Sequence, residues 1–328
     1  MNKPLFFLIA LAALGSLWSC GPALEGEAIS KKQILLDTDA NNELDDQHAI
    51  AYMLFSPAHF DVVGITVNAT HNGGGIEEHM AEAERVVELC GKKGQIPIIP
   101  GASLDYEEIL PSLTQSNFDG EEAVNFIIEE ALKDTTEPLY LVPIGTLTNV
   151  ALAIAKAPEI IPYVKIMWLG SNWPNAGEYN LENDTTSVNP LLNTPGLDLQ
   201  ICTVRYGEPS GTAAVTASVS EIRETMKGLG PQVPEVPGRH GGSFTCFGDY
   251  SIDLFVNIGD DKRALFDVCA LAVLKNESWG RPVLVPAPEL QGTGWKNRSQ
   301  NARRVVFWEN FSKDAILEDF YRVMQNAK

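Results

Sequence analysis

Ile34-Leu35-Leu36-Asp37-Thr38-Asp39-Ala40-Asn41-Asn42-Glu43-Leu44-Asp45-Asp46 is the segment that decides how the chain is to be read. An apolar run over 33–36 ends at Asp37, and five carboxylates (Asp37, Asp39, Glu43, Asp45 and Asp46) then fall within ten residues. From Asp45 to Leu54 the apolar residues Ala49, Ile50, Met53 and Leu54 recur at helical spacing, so a strand, an acidic turn and a helix are predicted in that order. Asp45 and Asp46 sit where the helix dipole favours anions. Capping accounts for one of them but not for Asp37 and Asp39 as well. Like charges crowded at a strand end repel unless a proton or a cation compensates. Oxygen-only ligands suit Ca²⁺ or Mg²⁺, not zinc. An EF-hand loop does not fit: counted from Asp37, position six is Asn42 where that loop needs Gly, and position twelve is His48 where it needs Glu.

The pattern continues outward from this segment. The run at 62–67 (VVGITV) predicts a buried strand, and 76–89 an acidic amphipathic helix stopped by Gly91. A short strand at 96–99 precedes Pro100-Gly101. A helix over 121–132, a strand over 139–142, a helix over 150–155 and a strand over 164–169 follow. This alternation predicts an α/β fold with a parallel sheet covered by helices on both faces. Sites in such folds lie beyond the carboxyl ends of the strands, which is where the acidic turn falls. The Gly- and Pro-rich stretch 207–248 predicts a long loop or lid-like excursion. Helical character returns over 262–275 and 314–324.

The chain has 328 residues, 45% of them apolar and 20% charged, so it has ample material for a core and lacks the profile of a disordered protein. Its 24 basic against 43 acidic residues give a net charge of −19. That excess argues against nucleic acid as a partner, because phosphate binding needs a basic footprint. At the N-terminus, Lys3 precedes an apolar stretch over 5–14, too short to span a bilayer, and then Leu17-Trp18-Ser19-Cys20. This ending resembles a bacterial lipobox. It implies a signal peptide over 1–19, lipidation of Cys20, a tether over 20–30 and one domain over 31–328. The expected location is a membrane surface facing the periplasm or the cell exterior, reached through the lipid anchor. Cys90, Cys202, Cys246 and Cys269 form no CxxC pair; in an exported chain they allow up to two disulfides, yet several sit in apolar runs typical of buried free thiols, and both states stay open.

The acidic segment resembles the signature of the calcium-dependent nucleoside hydrolases, the inosine-uridine-preferring N-ribohydrolases. Asp37-Thr38-Asp39 and Asp45-Asp46 match its two ends, while the loop between them is two residues longer and lacks the family's Pro-Gly. Further segments match in order. Gly64-Ile65-Thr66-Val67 with Asn72 resembles the second-strand segment. Pro143-Ile144-Gly145-Thr146-Leu147-Thr148-Asn149 resembles the Pro-x-Gly-x-Leu-Thr-Asn segment. Gly177-Glu178-Tyr179-Asn180 resembles Ala-Glu-Phe-Asn, and Leu265-Phe266-Asp267 stands where the family has a His-Asp pair. The resemblance implies a Rossmann-like, mostly parallel central sheet with helices on both faces. It implies Ca²⁺ held by Asp39, Asp46, Asp267 and the backbone carbonyl of Ile144, with Asp39 as the general base for water. Asp45, Asn72, Glu178 and Asn180 would hold the sugar of a nucleoside or related riboside. A homodimer or homotetramer is the family's usual assembly.

The leaving group is where the sequence departs from the family. Phe266 occupies the position of the usual proton-donating His and cannot donate. His240, in Arg239-His240-Gly241-Gly242, and His71 are candidate replacements, and Trp173 is a candidate for stacking on the base. Two other functions compete with hydrolysis. A haloacid-dehalogenase-like phosphatase would use Asp37 and Asp39, but it leaves Asp45-Asp46 unexplained. A non-catalytic calcium- and sugar-binding surface lipoprotein would keep the same cage without turnover.

Overall fold

The computed structural model describes Met1 and residues 31–133 and 136–327. The expected signal peptide beyond Met1, the expected lipidation site Cys20 and the expected tether fall outside the described residues. Among the described residues no helix is long and apolar enough to cross a membrane.

A strand buried on both faces needs apolar side chains at successive positions, because its neighbours pack on either side. The first strand, β1 (Lys32–Thr38), meets that requirement: Ile34 and Leu36 enter one core and Leu35 the other. The first core is closed by helix α1 (Asp45–Leu54), helix α2 (Ile76–Leu89) and the helices Phe247–Asn257, Phe266–Lys275 and Lys313–Asn326. The second is closed by the helices Glu121–Ala131, Thr148–Lys156 and Val188–Asn193.

Five further strands of the main sheet follow β1: β2 (Phe60–Val67), β3 (Ile98–Pro100), β4 (Leu139–Pro143), β5 (Val164–Leu169) and β6 (Asp198–Cys202). The sheet has eight strands in the order Arg281–Pro286, Arg304–Glu309, β6, β5, β4, β1, β2, β3. All neighbours run parallel except the outermost pair, Arg281–Pro286 with Arg304–Glu309. The protein is thus an α/β fold with a mostly parallel central sheet between two helical layers. From β1 the chain winds outward through β2 to β3, then returns to β4 on the other side of β1. That reversal opens a crevice beyond the carboxyl ends of β1 and β4, where ligands bind in doubly wound folds. Register places Asp37 opposite Thr66 of β2 and Pro143 of β4, so β1 delivers its acidic end to that crevice.

The structure departs from the sequence expectation in two segments. The stretch predicted as one helix over 262–275 begins instead as a strand, Lys262–Ala264, paired antiparallel with Thr216–Ser218; the helix starts at Phe266. The expected lid over 207–248 is a run of short elements. It includes the helix Val219–Thr225 and a two-residue ladder between Val236–Pro237 and Ser243–Phe244. The ladder is docked on α2 by the Arg85 Nε–H, which donates to the Pro237 carbonyl at 2.6 Å. Cys90, Cys202, Cys246 and Cys269 are all buried free thiols.

Candidate active site

Asp37 and Asp39 have different fates although only Thr38 separates them. The Asp37 carboxylate accepts three hydrogen bonds from protein donors: Thr66 Oγ1 at 2.6 Å, Asn149 Nδ2 at 2.8 Å and Asn68 Nδ2 at 3.1 Å. It is a fully buried tie between β1, β2 and the helix after β4. Burial pushes its pKa up to about 7, against these hydrogen bonds, which pull it down. Asp39 is only half engaged. Its Oδ2 accepts from Thr70 Oγ1 at 2.7 Å and from Asn42 Nδ2 at 3.1 Å. Its Oδ1 is buried without a partner. The loop after β4 reaches this oxygen because residue 145 is glycine: a Cβ there would lie 2.9 Å from Asp39 Oδ1 and 2.7 Å from Asn68 Oδ1.

Two helix starts supply the remaining carboxylates. Asp45 and Asp46 open α1, and Asp267 lies in the first turn of Phe266–Lys275, which packs beside α1. Asp45, Asp46 and Asp267 each offer an oxygen within 4.8 Å of the others. Asp46 accepts a hydrogen bond from Thr38 Oγ1, which fixes it toward the end of β1. None of the ion pairs among the described residues includes Asp39, Asp45, Asp46 or Asp267. Burial, reinforced by the neighbouring carboxylates, drives Asp46 and Asp267 well above the ordinary carboxylate range. Burial raises Asp39 and takes Asp45 up to about 7. The Asp45 carboxylate beside Asp267 adds its repulsion to the burial that raises Asp267. Buried acids with an orphaned oxygen and no basic partner fit a hard divalent cation, which would supply the missing charge.

These groups line one cavity of about 300 Å³. The opposite wall carries Glu178 and Asn180. Glu178 accepts from three backbone N–H groups, those of Ser171, Asn180 and Leu181, at 2.8–3.0 Å, and burial takes its pKa up to about 7. Asn180 Nδ2 donates to the carbonyls of Ile144 at 2.7 Å and Leu169 at 3.0 Å. Its amide nitrogen is thereby used, and a second lone pair remains on the Ile144 oxygen.

Of the residues singled out from the sequence, Asp39, Asp45, Asp46, Ile144, Glu178, Asn180 and Asp267 converge on this cavity. Asn72 does not line it. It is exposed, and its backbone N–H donates to the hydroxyl of Tyr179, a residue of the cavity wall, at 3.1 Å. Trp173, expected to stack on a base, turns away from the cavity. Its ring stacks on Phe307 with centroids 4.5 Å apart, on the other side of the sheet end. His240 is also elsewhere: its Nδ1 lies 3.1 Å from Asp253 Oδ2, and it does not reach the cavity. His71 is exposed and outside the lining. Sequence reasoning missed the residues that do form the remaining wall, notably Tyr206, Arg263 and Lys262 beside Phe266. It also missed His79, buried against the Asp39 carbonyl at 2.9 Å. These belong to separate segments, and no local pattern marks them.

The model of inosine-uridine preferring nucleoside hydrolases matches residues 34–312, a span that includes every element around the cavity. The chain belongs to that family. Among curated relatives it is 28% identical over 193 residues to the pyrimidine-specific ribonucleoside hydrolase RihA of Shewanella baltica, covering 52% of this chain and 58% of that protein. It is 27% identical over 219 residues to the non-specific ribonucleoside hydrolase RihC of Escherichia coli O139:H28, covering 60% and 69% respectively. The match therefore spans little more than half the length of the first of these. Among solved structures, the purine-preferring ribonucleoside hydrolase from Gardnerella vaginalis superimposes with a TM-score of 0.67 at 18% identity, covering 90% of this chain and 98% of that one. An inosine-guanosine nucleoside hydrolase gives 0.70 at 16% identity, covering 91% and 100%. At such identities the superpositions establish that this nucleoside-hydrolase family member has the same fold.

Proposed function

We propose that this chain hydrolyses the N-glycosidic bond of ribonucleosides, or of a closely related riboside, to free base and ribose, with Ca²⁺ as the resident ion. The observation that carries the reading is the meeting of Asp39, Asp45, Asp46 and Asp267 with Glu178 and Asn180 around one cavity at the sheet's switch point. Family membership and the activities for which the relatives are named support it.

The ion would be held by Asp39, Asp46, Asp267 and the Ile144 carbonyl. When bound, it acts as a Lewis acid that lowers the pKa of water and offsets the buried negative charge. Thr70 and Asn42 hold one oxygen of Asp39, so its free Oδ1 is oriented to take the proton of the attacking water. Asp45 accepts a hydrogen bond from a ribose hydroxyl. Glu178, pinned by three backbone N–H groups, and Asn180, whose nitrogen is occupied, present oxygen acceptors to the remaining hydroxyls. The sugar is thereby fixed before the glycosidic bond stretches toward its cationic transition state.

A second reading rests on Phe266, which stands where the family donates a proton: a module that binds calcium and a sugar without turnover. One experiment separates the two. The purified chain is incubated with a ribonucleoside panel, with Ca²⁺ and after chelation. Ribose release that depends on Ca²⁺ is the expected result. Ca²⁺-dependent nucleoside binding with no ribose from any member would establish the binding module instead.

A further inference from the structure

The turn 40–44 joins Asp39 to the Asp45-Asp46 pair and contains no proline to stiffen it. It is held from outside instead. The Asn41 N–H lies 3.2 Å from His79 Nδ1, the Asn41 carbonyl accepts from Arg239 Nη1 at 3.2 Å, and the Asn41 Nδ2 donates to the Gly73 carbonyl at 2.6 Å. The same His79 nitrogen stands 2.9 Å from the carbonyl of Asp39. Carrying a proton, it donates to that carbonyl; without one, it accepts from Asn41. Either tautomer ties α2 to the turn. His79 is fully buried, and the chain passes over its ring only because residue 73 is glycine: a Cβ there would lie 2.7 Å from His79 Cε1 and 2.8 Å from the Asn41 carbonyl oxygen.

Arg239 reaches the turn from the loop of the ladder between Val236–Pro237 and Ser243–Phe244. That loop is moored at two points, by Arg85 of α2 and by His240, whose Nδ1 faces Asp253 on the helix Phe247–Asn257. Asn41, His79 and Arg239 do not line the cavity, so they bear on the site only through the residues that do. Carboxylates that share a cation depend on outer partners to fix their orientation. We propose that His79 and Arg239 are positioning residues: gripping Asn41 from two sides, they set the turn that carries Asp39 to the cation site and leads into Asp45 and Asp46. This rests on the cation cage of the reading above and not on turnover. It gives two remote segments, α2 and the 236–244 ladder, control over the affinity of the cage for its ion.

The test measures the Kd for Ca²⁺ by calorimetric titration of the chelator-treated chain, unaltered and as Arg239→Ala, Arg239→Lys, His79→Leu and His79→Asn. Urea midpoints without cation report stability, and kcat and KM are read on the best ribonucleoside. Arg239→Ala and His79→Leu should each weaken Ca²⁺ binding about 10- to 100-fold, the loss seen when an outer partner of a metal ligand is removed. At saturating Ca²⁺ they should lower kcat about tenfold and leave KM within about 3-fold, because Glu178 and Asn180 are untouched. Arg239→Lys and His79→Asn restore a donor near the lost one and should recover part of the affinity. If His79→Leu does not fold, the two Arg239 variants decide, since Arg239 is half-buried at the edge of the turn. Lower urea midpoints with Kd and kcat unchanged would make both residues mere braces and overturn the proposal alone. An unaltered chain that binds no Ca²⁺ would overturn the cation reading and this inference with it. A chain that binds Ca²⁺ but cleaves nothing would overturn the hydrolase reading, while the shift in Kd would still uphold the positioning role.

Discussion

One helix, Phe266–Lys275, takes part in two buried acidic centres that are built on opposite terms. At its last turn, Lys275 pairs with Asp319 at 2.6 Å, and Asp319 also receives Arg322 and the Tyr52 hydroxyl. Burial pushes the Asp319 carboxyl up, but hydrogen bonds from Lys275 and Tyr52 and the nearby positive charges outweigh it and hold it below the ordinary range. At the first turn, Asp267 meets only other acids, and burial and repulsion both push it up. A buried charge has to be paired or neutralised. The Asp319 centre carries its counter-charge in the sequence. The Asp267 centre leaves it to be brought from outside, and that difference separates a structural carboxylate from one kept for a ligand.

Three measurements would break or sharpen this contrast. The largest effect belongs to catalysis. Asp39→Asn keeps the shape of the residue that carries the free oxygen and removes its basicity, so kcat should fall about 10³- to 10⁴-fold. A loss below tenfold on the best substrate would remove Asp39 from the role of base. Stability gives the next test, read by urea unfolding. Asp319→Ala strands the buried Lys275 and should cost about 3–5 kcal/mol with or without cation. Asp267→Asn should cost little in chelator, or even stabilise by relieving repulsion. It should also abolish the gain from added Ca²⁺, about 2.7 kcal/mol at a hundredfold excess over Kd in the unaltered chain. Equal costs for the two substitutions in chelator would erase the distinction.

The smallest effect is in pH dependence. Asp45 titrates near 7 in the folded, cation-free chain against 3.8 ordinarily, so between those values the folded state binds more protons than the unfolded one. Stability in chelator should therefore fall as pH rises from about 4 to 7. The Asp319 contribution runs the other way: it is present above the ordinary carboxylate pKa and is lost as pH falls through the depressed value. Urea midpoints at pH 5 and pH 7 should thus drop with pH in chelator, and Ca²⁺ should remove the drop. A midpoint that rises with pH in chelator would mean that the acidic cluster already holds its charge without a cation.

Much of the fold was legible because buried parallel strands leave unbroken apolar runs. The predicted segments 62–67 and 164–169 lie within β2 and β5, and the bounds of α1 and α2 coincide with the predicted ones. β6 (DLQIC) and Arg304–Glu309 (RVVFWE) were missed because their ends are charged or polar and neither keeps one period. Lys262–Ala264 was absorbed into a helix because three residues carry too little pattern to mark a strand. Within the site, the local cluster from Asp39 to Asp46 was legible from charge crowding alone. Asp267 needed the family resemblance, with Phe266, Val268 and Cys269 beside it as a hint of burial. Trp173 and His240 were misplaced for one shared reason: residue type says what a ring can do, while tertiary packing decides where it points.

The four buried thiols have a consequence for the redox chemistry of the fold. Burial raises the pKa of Cys90, Cys202, Cys246 and Cys269 above that of an ordinary thiol, which keeps the reactive thiolate scarce. None of the four is committed to a bridge, so the fold needs no oxidase to mature and offers glutathione nothing to cut. Among the described residues there is thus no bridge whose formation or reduction would alter the packing around these thiols.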